Sequence, residues 1–178
     1  MMTITEALAE VKTISKRITK KRESVMGFLW RQERIKDPLE KEGGSRSFIE
    51  KERQAIRDLE NRIIAIRRAI QKANDSTPVT ILDQTRSISE WLTFRREVAQ
   101  GQQQFLASIR AGVNQVRKEA QQKGLSIAAS KEAVTSDNDI VVNVNEQQLA
   151  NEIEKLEETL GALDGQLSLR NATVMVDV

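Results

Sequence analysis

The side chains that most often do chemistry near neutral pH are missing. The chain of 178 residues contains no His and no Cys. Imidazole acid–base catalysis, thiolate nucleophiles and the commonest zinc ligands are therefore absent. Serines are present, but no nucleophile elbow surrounds any of them, and a Ser–His pair cannot form. Gly43-Gly44-Ser45 lacks the Gly-Lys-Ser/Thr ending of a phosphate-binding loop and follows no strand pattern. Asp137-Asn138-Asp139 alternates oxygen ligands as a calcium loop does, but the Gly at loop position six and the closing Glu are missing, so it reads as a polar turn. Glu157 and Glu158 are neighbours on a helix and diverge, which makes them part of a solvated face. The sequence thus predicts no catalytic, cofactor-binding or metal-binding residue, and no enzyme.

Charge is the remaining chemistry. Lys12, Lys16, Arg17, Lys20, Lys21 and Arg22 follow one another with no acid between them. On a helix Lys12, Lys16 and Lys20 lie four apart along one face, a row that could track a phosphate backbone. A solvated face, or a dock for an acidic segment, competes with that reading, because no aromatic interleaving or reading-helix motif accompanies the run. The acidic counterpart lies at the other end. Residues 135–178 hold nine acidic side chains against Lys155 and Arg170, net −7, which leaves +9 on residues 1–134. Opposed blocks of this kind attract within a chain or between copies.

The elements that must position these charges are helices. Aromatics are 3% of the residues, with no Tyr, while hydrophobic residues are 39% and charged residues 30%, as expected of long helices packed through aliphatic seams. Thr3 and Glu6 make a capping box that opens a helix over 4–35. Ile4, Val11, Ile18 and Val25 recur every seven residues, with Ala7, Ile14 and Phe28 between them, interrupted only by Lys21. Asp37-Pro38 and Gly43-Gly44 make a loop. Ser47 and Glu50 form a second box for a helix over 47–74, carrying Ile49, Ile56, Ile63 and Ile70 with Leu59, Ile66 and Ala73. Two such helices should fold back as an antiparallel hairpin.

Residues 77–86 read as a small β-hairpin turning at Leu82-Asp83-Gln84. Ser87 and Glu90 then open a helix over 87–123 whose apolar side holds Ile88, Trp91, Leu92, Val98, Phe105, Ile109, Val113 and Val116. Gly124 is its stop. Thr3–Leu8 echoes Ser87–Leu92; a shared capping box with an apolar stripe accounts for the likeness better than a duplication does. Residues 125–138 read as a linker, and 139–178 as an acidic strand–helix–strand appendage with strands at 139–145 and 172–178. Leu149, Ile153, Leu156, Leu160, Leu163 and Leu167 alternate in steps of four and three, a coiled-coil seam. The expected fold is mainly α: a helical bundle over 1–124 with the β-hairpin inserted, the linker, and the appendage.

Ala73-Asn74, Thr77, Val79-Thr80-Ile81, Arg86-Ser87-Ile88, Leu92 and Arg95 follow an order that resembles the septicolysin-like family of small helical proteins. Thr3 to Leu8 is similar to the way that family begins. The resemblance implies long helical hairpins with a small β-hairpin between them, and no activity or site residue. The chain departs from the pattern at Gln84, where a turn Gly would stand, and in its acidic tail.

The composite expectation is a structural protein of a repeated homo-oligomer, in the style of the accessory proteins of a bacteriophage particle: capsid decoration, head–tail connector or tail component. It would reside in the virion after assembly in the host cytoplasm, or otherwise in the cytoplasm. Its partners would be copies of itself and other particle proteins, without cofactor or membrane. Leu149, Ile153, Leu156, Leu160, Leu163, Val174 and Val176 are the expected oligomer interface, the two strands extending a neighbour's sheet. Lys12, Lys16, Arg17, Lys20, Lys21, Arg22 and Trp30 are the expected receiving surface for the acidic tail. The same basic residues would serve a nucleic-acid-binding or packaging factor, the competing function.

Overall fold

Capping boxes start two helices where their sequence places them. In the computed structural model, which describes residues 1–128, 133–134 and 136–177, the Thr3 hydroxyl accepts from the Glu6 amide, and the Glu6 carboxylate accepts from the Thr3 amide at 2.7 Å. Ser87 and Glu90 repeat the arrangement. In both pairs the carboxylate sits below its ordinary pKa, chiefly because the backbone amide of the capping residue bonds the charged form.

The elements in chain order are β1 (Met2–Thr3), α1 (Ile4–Met26), α2 (Gly44–Ser76), β2 (Pro78–Ile81), β3 (Gln84–Ser87), α3 (Ile88–Thr93), α4 (Ala99–Lys123), β4 (Ile127–Ala128), β5 (Ile140–Val141), α5 (Glu146–Thr173) and β6 (Met175–Val176). A short 3-10 turn at Glu40–Glu42 precedes α2, and a π-helical turn at Phe94–Val98 separates α3 from α4. The fold is mainly α with small strand pairs, as expected.

The chain forms two compact units, Met1–Thr77 with Leu167–Val178, and Pro78–Gln166. This division corrects the linear partition into a 1–124 bundle and a 139–178 appendage. The helix over 87–123 does not belong with α1 and α2, and the last turns of α5 do. Periodicity marks the face a helix buries, not the element it buries it against.

In the first unit α1 and α2 form the antiparallel hairpin. Ile4, Ala7, Val11, Ile14 and Ile18 meet Ile66 and Ile70, with Ile56, Leu59 and Ile63 packed at the margin. Ion pairs flank the seam: Glu10 with Arg62, Lys21 with Glu52 and Arg22 with Glu60. Lys21, the interruption in the stripe, is thus accommodated by a carboxylate on the facing helix. β6 pairs antiparallel with β1, Thr3 opposite Met175 and Met2 opposite Val176. The Val174 carbonyl accepts from the Ile4 amide.

In the second unit β2 and β3 pair antiparallel, Pro78 opposite Ser87. The turn is Leu82-Asp83 alone, with Leu82 at φ +52, since Gln84 enters the strand. Each capping box therefore lies at the end of an antiparallel ribbon in the same register, so the echo between Thr3–Leu8 and Ser87–Leu92 extends to the strands that feed each helix. The π turn has a further effect. An added residue in the turn rotates the apolar face by one position, so Ala99 is buried and Val98 exposed. Phe105 and Val116, expected inside, also face out, while Ala120 is buried. Gly124, at φ +66, ends α4 as expected.

The expected linker at 125–138 contains β4, which pairs in parallel with β5; residues 129–132 and 135 lie outside the described residues. The strand expected over 139–145 is confined to Ile140–Val141. The strand expected over 172–178 is confined to Met175–Val176, with Val178 outside the described residues.

Candidate functional site

The connection between α1 and α2 displays, rather than buries, one of the chain's two tryptophans, Trp30. The helix expected to reach residue 35 ends at Met26. Gly27, a weak helix former, closes a tightened last turn with its amide bonded to the Ser24 and Val25 carbonyls. Phe28 then turns onto α2, edge to face with Phe48 at 5.1 Å. Beyond that pin Leu29, Trp30 and Ile35 face solvent, with Trp30 80% exposed.

The loop is held by hydrogen bonds. Asp37 Oδ1 accepts from the Leu39 amide at 2.9 Å and from the Ser45 hydroxyl, while Oδ2 accepts from the Ser45 amide at 2.8 Å. Asp37 therefore caps the first turn of α2 from outside it, a position where a carboxylate also favours the helix dipole. The expected Ser47–Glu50 box does not form, because α2 begins earlier, at Gly44. Gly43 and Gly44 adopt φ of +98 and +85, which disfavour any side chain. Arg31 Nη1 donates to the Ile35 carbonyl at 2.9 Å.

Hydrogen bonds from Ser45, side chain first and then backbone, hold the Asp37 carboxyl below its usual range. A depressed folded pKa means that the contribution is complete above the unfolded value of about 3.9 and is lost as pH falls through the folded one. The protection factors of the Leu39 and Ser45 amides, taken against their intrinsic exchange rates, are expected to be high at neutral pH, to fall below that range, and to be low at all pH in Asp37→Ala. Protection that survives Asp37→Ala would remove the cap from this account.

A groove of about 800 Å³ runs beside the displayed residues, lined by Phe28, Trp30, Ile35 and Ile49 and edged by Arg31, Arg46 and Arg53. Arg46 pairs with Glu50 at 3.5 Å. Arg53 has no ion pair or hydrogen bond among the described residues.

The basic run divides in two. Lys21 and Arg22 are neutralised by Glu52 and Glu60 on α2. Lys12, Lys16, Arg17 and Lys20 are exposed and have no ion pair among the described residues. Trp30 is displayed on the loop that follows this helix.

The expected oligomer interface is occupied within the chain. Leu149, Leu156 and Leu163 are buried, Leu163 completely, and Ile153 and Leu160 are half-buried. Val176 lies 2% exposed in the first unit's core, with Val174 packed against it. β6 and β5 each pair along one edge with a strand of the same chain, β1 and β4 respectively, in two-stranded sheets. A heptad of leucines requires a partner face; here the chain supplies it.

In the second unit α5 lies along α4, fastened by Arg117 to Glu146 at one end and by Arg95 to Asp164 at the other. Between the helices a groove of about 420 Å³ is lined by Leu106, Ala107, Ala111, Ile153 and Leu156, with Glu157 at its edge. It continues into a second depression of about 360 Å³ that adds Glu154. Sequence reasoning missed this groove, since nothing in a chain marks small residues facing a half-buried seam. It also missed Leu29, Ile35, Arg46 and Arg53 around Trp30. The adjacent Leu29-Trp30 pair beyond the last heptad position was the available signal.

Among the described residues no three carboxylates converge on a metal-sized site, and no helix is long and apolar enough to cross a membrane. No protein-family model, curated protein or solved structure matches the chain.

Proposed function

We propose that this chain is a non-enzymatic structural protein that assembles into a repeated homo-oligomer. The particle it serves, on this reading, is a bacteriophage capsid or tail, where it acts as decoration, connector or tail accessory. The observation that carries the reading is the division of charge between the two units. The first holds 19 basic and 13 acidic side chains, net +6; the second holds 9 basic and 13 acidic, net −4. A subunit with opposite charge on separate compact bodies attracts its own copies head to tail. The ordered loop that exposes Trp30 supports the reading, because large exposed apolar residues rimmed by charge mark interaction surfaces.

The competing reading, a nucleic-acid-binding factor, is favoured by the unpaired row of Lys12, Lys16 and Lys20. One measurement separates the two: solution mass by light scattering at low and high salt, with and without duplex DNA. Self-association that weakens with salt and ignores DNA is expected. A protein that stays monomeric alone and gains mass only with DNA would replace assembly by nucleic-acid binding.

A further inference from the structure

The repeated assembly proposed above leaves open which surfaces meet, and the two grooves answer each other. The first unit presents an apolar projection, Leu29 and Trp30, beside arginines, of which Arg53 is unpaired. The second presents an apolar trough between α4 and α5, floored by Ala107 and Ala111 and edged by Glu154 and Glu157, neither of which has an ion pair among the described residues. We infer that Trp30 of one copy inserts into the α4–α5 groove of the next, with Arg53 and its neighbours facing Glu154 and Glu157. This inference rests on the homo-oligomeric reading and names its contact.

Size, polarity and charge agree. The trough lies within the range of about 300–1,000 Å³ typical of clefts that enclose a ligand. An indole that is exposed in the free chain removes a large apolar area from water when it enters such a trough. The unpaired rim charges answer each other, Arg53 beside the projection and Glu154 and Glu157 beside the trough, while Arg110, which also lines the trough, is a cation the indole face can meet. The basic row of α1 is not needed for the contact. Projection and trough are different patches, so a single contact between two copies is heterologous. Each copy keeps one free projection and one free trough, and growth continues until a ring closes or a filament forms.

The test uses the full chain and two variants at exposed positions, Trp30→Ala and Ala111→Arg, the second filling the trough and adding a cation where an acidic rim is needed. Each alone is expected to raise the concentration for half-association about 30-fold or more, the effect of losing an interface anchor. Thermal melts followed by circular dichroism should stay at the parent value. Mixed in equal amounts the variants should form dimers and stop, since Trp30→Ala still offers a trough and Ala111→Arg still offers a projection. If the parent associates and either variant associates equally well, this contact is wrong while the homo-oligomeric reading stands. A mixture that forms no dimers also overturns the contact. A parent that remains monomeric at all concentrations overturns the homo-oligomeric reading and the contact with it.

Discussion

Trp91→Ala is expected to cost the second unit about 3–5 kcal/mol, the range for a large buried aromatic cut back to a methyl group. Trp91 is 1% exposed. Its Nε1 donates to the Val79 carbonyl at 2.9 Å, which ties α3 to strand β2. Phe94 meets the ring edge to face at 5.7 Å, and the Arg86 guanidinium lies 5.0 Å from the Trp91 centroid and 5.5 Å from that of Phe94. Removing the indole opens a cavity, removes the Nε1–H donor from the Val79 carbonyl, and deprives Arg86 of one of its two rings. Whole domains are stable by only about 5–15 kcal/mol, so the loss takes a large part of what the unit has. Trp91→Phe separates the causes: it keeps most of the ring and removes the N–H, and its cost should fall well below that of alanine. Urea unfolding of both variants decides the matter, and a midpoint unchanged in Trp91→Ala would mean that the indole does not organise this unit.

Val176→Asp is expected to destabilise the first unit by about 4 kcal/mol or more, in the class of changes that leave a charge buried without a partner. Val176 is 2% exposed and packed in the cluster of Ile4, Ala7, Val11, Ile14, Ile18, Ile66 and Ile70. The side chains of that cluster are all apolar, so none of them can pair with a carboxylate. Met175, its neighbour in β6, is half exposed, and Met175→Asp serves as the control, with an expected change within about 0.5 kcal/mol. The pair also judges the sequence's expectation that Val176 is an assembly residue. A Val176→Asp protein that melts like the parent but loses association would restore that role, whereas early melting places the side chain in the core.

The seams of α1 and α2 and the caps at Thr3 and Ser87 were legible because each is local. A heptad stripe or a box of Ser/Thr and Glu three apart can be read within one or two helical turns. The Leu149–Leu167 seam was equally legible as a buried face. Its partner was not, since no spacing says whether the facing side chains come from the same chain or another. The π turn escaped for a different reason: the added residue at Phe94–Val98 leaves no mark in the spacing, yet it brings Ala99 rather than Val98 inside, and Phe105 and Val116 face out while Val113 is buried as expected. Asp37 was read only as a loop former. Its work as a cap depends on Ser45, eight residues away, through a fold in the chain that residue types alone do not specify. Trp30 stood out by size, but its exposure follows from Gly27 ending α1 early.

The pairing of β6 with β1 also sets an order of events. Met2 and Val176 are opposite each other although nearly the whole sequence separates them, whereas the second unit is one uninterrupted stretch, Pro78–Gln166. Contacts between residues far apart in sequence form late, because closing long loops is entropically slow. During synthesis, which proceeds from the N-terminus at about 5–20 residues per second, α1 and α2 emerge first yet wait for the last strand. The second unit is complete before it. For that interval the nascent chain carries a completed second unit and an N-terminal hairpin whose core lacks Val176, and a strand made after the second unit closes the part that was made first.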